Sequence, residues 1–158
     1  AGFVIFGDVE LTRACARDWL KKAPEFDLLI TAESKGIPLA HEMTAQAGKN
    51  KYILARKAPK LYMKNVVAVE VQSITTVARQ TLYLDQVDLD AMKGKRILIV
   101  DDVISTGESV AALETLVRNA GGTIVGKMAI LAEGDAKDRD DILYLEYLPL
   151  FDADGNEL

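Results

Sequence analysis

Short runs of Val, Ile and Leu without polar alternation recur along this chain of 158 residues. They have the length of strands, and such runs are typical of strands covered on both faces. Segments with apolar residues at helical spacing lie between several of them. Because strand and helix alternate, we predict an α/β fold with a mostly parallel, twisted sheet flanked by helices. The predicted strands are Gly2–Phe6, Asp27–Ala32, Tyr52–Ala55, Val66–Val71, Thr81–Leu84, Ile97–Val100, Thr123–Leu131 and Ile142–Leu145.

Three helices are predicted between these runs. Glu10–Lys22 and Glu108–Ala120 repeat apolar residues at helical spacing, and the second of them is followed by a pair of glycines that stops a helix. A third helix is expected over Pro38–Gly48, because proline is accepted in a first helical turn. The stretch Lys57–Leu84 has two strand-like runs in succession and no helical period, so it indicates a hairpin-like or flexible loop insertion.

Composition excludes several classes of function. The chain has 24 acidic and 19 basic residues and a formal charge of -5. This balance argues against broad binding of nucleic acid or of an anionic membrane, both of which require a basic surface. The single cysteine, Cys15, excludes an internal disulfide framework and a thiolate zinc cluster, and the single histidine, His41, excludes a histidine-rich metal site.

Organisation and location are expected to be simple. The length suits one domain, and no boundary or repeat is visible, so we expect a single domain over residues 1–158. No apolar run is long enough to span a bilayer, and the first residues do not have the pattern of a signal peptide. Together with the single cysteine, this predicts a cytoplasmic location.

The most informative segment is Arg96–Ser109. A predicted buried strand ends in Asp101 and Asp102, and a short loop then leads into a helix. Ligands of open parallel sheets bind beyond the carboxyl ends of strands, and the N–H groups at a helix N-terminus bind phosphate. Two adjacent carboxylates accept hydrogen bonds from vicinal hydroxyls or bind magnesium indirectly. The segment therefore predicts a ribose 5-phosphate site, although helix capping with a solvated acidic turn is the alternative.

Other phosphate-binding motifs are absent. Gly94-Lys95 is followed by Arg96, so the chain has no G-x-x-x-x-G-K-[ST] motif, and it has no G-x-G-x-x-G motif either. Instead, Val100–Ser109 resembles the phosphoribosyl-pyrophosphate (PRPP) signature of the type I phosphoribosyltransferases. That signature is an apolar strand, two acidic residues, two apolar residues, and then a small residue followed by Thr-Gly.

The resemblance implies a type I phosphoribosyltransferase fold with a Rossmann-like core. It also implies that the acidic pair, Asp101 and Asp102, is catalytic and binds the ribose 2- and 3-hydroxyls, while the following loop binds the 5-phosphate. The residues expected at the ribose and 5-phosphate are Asp101, Asp102, Ser105, Thr106, Gly107, Glu108 and Ser109.

Two further segments resemble the parts of this family that bind pyrophosphate. Thr31–Gly36 is similar to the pyrophosphate loop, and Arg56–Leu61 is similar to the adenine-type pattern Arg-Lys-x-x-Lys-Leu. A capped turn and a solvated charge run are the respective alternatives. By this resemblance Lys57–Ile74 belongs to a flexible loop that closes over the site. The residues expected to bind pyrophosphate are Ser34, Lys35, Gly36, Arg56, Lys57 and Lys60.

The resemblance also indicates where the base lies, against Phe6, Val103 and Ile104. Phe6 stands where adenine-type enzymes have an aromatic residue that packs on the purine, and an ordinary core phenylalanine is the alternative. Gly7 departs from the family, since the adenine pattern has Arg there. Ser105 replaces the Asp with which the hypoxanthine-guanine branch contacts a 6-oxopurine, so it favours an adenine-like enzyme.

The resemblance therefore implies a purine phosphoribosyltransferase, with adenine favoured, whose partners are PRPP and a purine base but neither nucleic acid nor membrane. Magnesium is expected as cofactor, held mainly by substrate without direct protein ligands. A homodimer is expected, and part of the base-binding hood is expected to precede Ala1. The alternatives are a hypoxanthine- or xanthine-type enzyme, a non-catalytic PRPP-sensing regulator, and a phosphotransferase in which Asp101 and Asp102 bind magnesium directly.

Overall fold

The computed structural model describes residues 2–71 and 80–158. Five strands form one parallel sheet, and two others form an antiparallel pair. In chain order the strands are β1 (Leu28–Ala32), β2 (Ile53–Ala55), β3 (Val67–Val71), β4 (Gln80–Leu84), β5 (Arg96–Ile104), β6 (Thr123–Glu133) and β7 (Leu143–Leu148). The large sheet has the order β2-β1-β5-β6-β7, so the predicted parallel sheet is confirmed.

The helices are α1 (Val9–Lys22), α2 (Ile37–Gln46), α3 (Gln86–Met92) and α4 (Glu108–Asn119), and a 3₁₀ helix covers Gly134–Asp138. Helix α1 begins where the Asp8 carboxylate accepts a hydrogen bond from the N–H of Leu11 at 2.9 Å. Helix α3 was not expected from the sequence. It is capped in the same way by Asp85, which accepts from the N–H of Asp88 at 3.0 Å.

Both faces of the sheet are buried, which explains the uninterrupted apolar runs. On one face, Leu29 and Leu98 pack in a cluster with Trp19 of α1 and with residues of α2. On the other face, Ile30 and Ile99 pack with α3, α4 and the β3–β4 pair. Successive residues of a strand point to opposite faces, so each central strand needs an apolar residue at every position.

The predicted insertion contains an antiparallel β3–β4 pair, with Val67 opposite Leu84. This pair is joined to the end of β2, because the N–H and C=O groups of Arg56 and Tyr83 exchange hydrogen bonds of 2.9 and 2.8 Å. Residues 57–66 contain no strand or helix. The remainder of the predicted closing loop, residues 72–74, lies outside the described residues.

The predicted strand Gly2–Phe6 is wrong. Residues 2–5 have no regular structure, and Phe6 and Gly7 form a turn that leads into α1. Gly7 has a φ of +82°, which a residue with a side chain adopts only with strain. The apolar run is explained by Ile5, which is 1% exposed and packs in the cluster around Trp19. Within the described ranges, no helix has the length and apolarity needed to cross a membrane.

Because β5 is the central strand of the sheet, shortening one of its buried side chains should destabilise the fold strongly. Leu98→Ala is expected to lower the free energy of unfolding by about 2–5 kcal/mol, because Leu98 is 0% exposed and its loss leaves a cavity. Leu143→Ala is the matched control, since Leu143 is 47% exposed on the edge strand β7, and it should cost no more than about 0.5 kcal/mol. Urea denaturation of both variants measures the difference, and equal losses would contradict the assigned core.

Candidate active site

The parallel pairing of β1 with β5 brings two loops together. Both strands end at the same edge of the sheet, so the turn after β1 lies beside the loop after β5. A cavity of about 360 Å³ opens there. It is lined by Ala32, Glu33, Ser34, Lys35, Lys57, Asp101, Asp102, Val103, Ser105, Ser109 and Glu133. Residues that are distant in the sequence and were predicted to bind PRPP therefore share one cavity.

The two adjacent carboxylates differ in environment. Asp101 accepts a hydrogen bond at Oδ1 from the N–H of Asp102 at 2.9 Å. Asp102 is 5% exposed, and its Oδ2 has no hydrogen-bond partner among residues 2–71 and 80–158. Burial, and then the negative charge of Asp102, raise the pKa of Asp101 to about 8. This buried carboxylate pair is an acceptor for neutral hydroxyl donors, since such donors satisfy its oxygens without adding charge.

The loop after β5 leads into the N-terminus of helix α4. A second cavity, of about 120 Å³, is lined by Asp101, Val103, Ile104, Ser105, Thr106, Gly107, Glu108, Ser109 and Val110. The residue at the helix N-cap is Gly107, with a φ of +81°, so no side chain of the N-cap residue covers the first N–H groups. A helix that begins in this way presents N–H donors and the positive end of its dipole to an anion.

The turn after β1 packs directly on the acidic pair. A Cβ atom on Gly36 would overlap Oγ1 of Thr31 and would lie 3.1 Å from Oδ1 of Asp101. Only glycine fits this position, as the resemblance to a pyrophosphate loop implies. The peptide bond between Glu33 and Ser34 is cis. Lys35 donates from Nζ to the carbonyl oxygen of Phe3 at 3.2 Å, so the N-terminal segment contacts this turn.

Sequence reasoning missed Glu33, which connects the turn to the basic segment after β2. Its carboxylate accepts from Nη1 of Arg56 at 3.0 Å and from the N–H of Lys57 at 2.9 Å. These contacts lower the pKa of Glu33, with the Lys57 N–H as the largest cause. Arg56 also donates from Nη2 to the Tyr62 hydroxyl at 2.9 Å. The guanidinium of Arg56 is thus oriented by Glu33, an acidic residue that lies in the turn after β1 and lines the larger cavity.

Four predicted residues line neither cavity: Phe6, Gly36, Arg56 and Lys60. Phe6 is 49% exposed and lines neither cavity. Lys60 also lines neither, and its N–H donates to Sδ of Met63 at 3.2 Å. Ile104 lines the smaller cavity, although it is only 2% exposed and packs in a core cluster with Val110, and its contact with the base stays a prediction. Val103, which lines both cavities, is half-buried and remains available to a ligand.

Glu133 was not assigned a role from the sequence either. It is the last residue of β6, the strand next to β5, and it lines the larger cavity. Its position in the sequence could have indicated a role at the site, since an acidic residue at the end of a long apolar strand lies at the carboxyl edge of the sheet.

A parallel sheet with an acidic pair and a helix-opening loop at its carboxyl edge has the architecture of a type I phosphoribosyltransferase. The model of the phosphoribosyl transferase domain matches residues 11–155. The chain therefore belongs to the phosphoribosyl transferase domain family. Its fold is similar to the crystal structure of adenine phosphoribosyltransferase from Thermoanaerobacter pseudethanolicus, with a TM-score of 0.76 and 22% identity over 91% of this chain and 84% of that one.

Curated relatives are more similar in sequence. Adenine phosphoribosyltransferase of Thermotoga petrophila is 38% identical over 69% of this chain and 60% of its own length. Hypoxanthine/guanine phosphoribosyltransferase of Methanococcus voltae is 33% identical over 72% of this chain and 56% of its own length. The matched regions thus span little more than half the length of these relatives, and the two relatives bear the names of different purine enzymes.

The raised pKa of Asp101 predicts a pH-dependent stability. Its ordinary value is 3.8, so between about pH 4 and pH 8 the folded protein keeps a proton that the unfolded chain has released. Stability from this group therefore falls as the pH rises through that window. Asp101→Asn removes the ionisation, and it should raise Tm by at least about 4 °C at pH 9 while changing it little at pH 5.

Thermal denaturation at both pH values measures this effect. Asp154→Asn serves as control, because Asp154 is exposed, and its effect on Tm should be the same at both pH values. An equal change for Asp101→Asn at pH 5 and pH 9 would contradict the assigned ionisation.

The close approach of Gly36 to Thr31 gives a second prediction. Gly36→Ala should lower the free energy of unfolding by about 1–3 kcal/mol, because the new methyl group overlaps the Thr31 hydroxyl. Thr31→Ala removes Oγ1. Gly36→Ala should therefore cost less stability in the Thr31→Ala background than in the wild-type protein. A double-mutant cycle in urea tests this coupling, and purely additive effects would count against the contact.

Proposed function

We propose that the chain is a purine phosphoribosyltransferase, with adenine as the favoured base. The reaction transfers the 5-phosphoribosyl group of PRPP to a purine, so that a nucleoside 5-monophosphate and pyrophosphate are formed. Membership of the family supports the class of reaction. The names of the curated relatives support a purine as acceptor. In this proposal the whole chain acts as one phosphoribosyltransferase domain.

One observation carries the proposal: the acidic pair, the turn after β1 and Lys57 meet in a single cavity at the edge of the sheet. A ligand that suits all three must offer vicinal hydroxyls to the carboxylates and a diphosphate to the basic groups. The adjacent smaller cavity at the start of α4 suits a phosphomonoester. PRPP has these three groups on one sugar.

In the proposed complex, Asp101 and Asp102 accept hydrogen bonds from the ribose 2- and 3-hydroxyls. Residues 105–109 hold the 5-phosphate through N–H groups and hydroxyls. As the bond from the anomeric carbon to the pyrophosphate oxygen breaks, positive charge develops on the sugar ring. The negative charge of the acidic pair then stabilises the sugar, while the base nitrogen bonds to the anomeric carbon and its proton passes to the released pyrophosphate or to solvent. Catalysis is thus positioning and electrostatics, and it requires no covalent nucleophile.

The leaving diphosphate accumulates negative charge, and this chain offers cations on both sides of the cavity. Lys35 contributes its ammonium and Gly36 its backbone N–H from the turn after β1, and Lys57 contributes its ammonium from the segment after β2. The guanidinium of Arg56 is oriented by the hydrogen bonds that it donates to Glu33 and Tyr62. Between Met43 and Val69 the chain has six basic and no acidic residues, so this segment is basic although the chain as a whole is acidic.

Magnesium is the proposed cofactor. Within the described ranges, no three His, Cys, Asp or Glu side chains are grouped to hold a metal ion. In the proposal the ion is bound mainly by substrate oxygens, and the carboxylates at the cavity are oxygen groups of the kind that suit magnesium. When bound, the ion supplies positive charge to the diphosphate.

The preference for adenine rests on Ser105. A serine lacks the carboxylate that would bind the N7 side of a 6-oxopurine. In the proposal Val103, which lines both cavities, and Phe6, whose ring is exposed, provide apolar contacts to the base. The proposed enzyme is a homodimer, as the family resemblance implies, and the single cysteine favours a cytoplasmic location.

Turnover tests the proposal. Incubating the protein with PRPP, magnesium and each of adenine, hypoxanthine, guanine and xanthine should release pyrophosphate, fastest with adenine. Asp101→Asn combined with Asp102→Asn should reduce turnover at least about 100-fold, because the charge that stabilises the sugar is lost. The matched control is Asp140→Asn with Asp154→Asn, both at exposed positions, which should retain full turnover.

The outcomes separate the alternatives. PRPP binding without release of pyrophosphate from any base would indicate a regulator that senses PRPP. Fastest release with hypoxanthine or xanthine would identify the other purine branch. Near-normal turnover in the Asp101/Asp102 double variant would contradict the proposed ribose site.

A further inference from the structure

Arg139 lies against the loop that opens helix α4. A Cβ atom on Gly107 would overlap Nη1 of Arg139, and it would lie 3.3 Å from the central carbon of the guanidinium. Arg139 follows the 3₁₀ helix after β6, so it reaches the loop from a part of the chain that carries no phosphate-binding motif. This contact was not expected from the sequence.

The orientation of Arg139 is fixed on its other side. Nε donates to Oδ1 of Asp141 at 2.9 Å, and Nη2 donates to Oδ2 at 2.8 Å. Asp141 is held in turn by Lys127, whose ammonium is also 2.7 Å from the Glu114 carboxylate on α4. The pair with Asp141 uses two of the three guanidinium nitrogens of Arg139, Nε and Nη2. In the described part of the chain, Nη1 donates to no residue. The remaining nitrogen is the one that faces Gly107.

The electrostatics of this arrangement favour an anion at the loop. The N-terminus of a helix carries partial positive charge, which an anion bound in the loop would offset. Arg139 is held there by a bidentate pair and is only 31% exposed. A phosphate seated on the first N–H groups of α4 would offset the positive end of the helix, and Nη1, which lies beside Gly107 at the N-cap, is an unused guanidinium donor next to that loop.

We propose that Arg139 is a phosphate-binding residue, whose Nη1 donates to an oxygen of the 5-phosphate seated in the loop at residues 105–109. The inference rests on the proposed function, because it adds a ligand to the same site. Backbone N–H groups supply a neutral cradle, and Arg139 adds a full positive charge that distinguishes a phosphate dianion from an uncharged group. Asp141 positions the guanidinium for this contact.

Calorimetric titration with ribose 5-phosphate tests the inference, because this ligand fills the loop without involving the diphosphate side. Arg139→Gln should weaken binding about 10- to 100-fold, the usual effect of losing a charge-assisted hydrogen bond. Arg139→Lys keeps the charge but cannot form the two-bond pair with Asp141, and it should lose less. Arg118→Gln is the matched control, since Arg118 is 65% exposed near the other end of α4, and it should bind within about twofold of wild type.

Two results would overturn the assignment of Arg139. One is wild-type affinity in Arg139→Gln. The other is an equal loss in the Lys and Gln variants, which would mean that Arg139 only braces the loop through Asp141. A wild-type protein that binds no ribose 5-phosphate would overturn the proposed function together with this inference, whereas tight wild-type binding with an unaffected Arg139→Gln would overturn this inference alone.

Discussion

The pairing of β1 with β5 is the constraint on which the rest of the site depends. Their parallel register, with Leu28 opposite Ile97, brings the carboxyl ends of both strands to one edge. The turn that follows β1 then meets the loop that follows β5. A Cβ atom placed on Gly36 would lie 3.4 Å from the Cα of Asp101. No larger residue fits there, so the register of the sheet and the identity of one glycine are linked.

At this edge of the sheet, acidic groups lie in the centre and basic groups lie around them. Asp101 and Asp102 form a buried negative centre, and burial makes ionisation of the pair unfavourable. Basic groups lie on either side, with Lys35 and Lys57 at the larger cavity and Arg139 at the start of α4. Two arginines are oriented by acidic residues outside the proposed binding groups, Arg56 by Glu33 and Arg139 by Asp141. A site of this kind suits a ligand with neutral hydroxyls at its centre and anions at its ends.

Much of the fold followed from local pattern. Uninterrupted apolar runs predicted all five strands of the parallel sheet, because a strand covered on both faces has no polar position. The run Gly2–Phe6 failed because burial of Ile5 does not require a strand, and periodicity alone does not tell whether a partner strand is present. Helix α3 was overlooked since it is only 7 residues long, although Asp85 before it is a typical N-cap.

The sequence alone determined the chemical types of the site: two carboxylates after a strand, a glycine-containing loop before a helix, and a basic segment in an acidic chain. Only the tertiary structure decided which of these groups meet. It left Phe6 and Lys60 outside the lining of both cavities, placed Glu33 and Glu133 in the larger one, and brought Arg139 against Gly107. The reason is that a motif records neighbours along the chain, whereas contacts between strand ends and loops depend on sheet order and register.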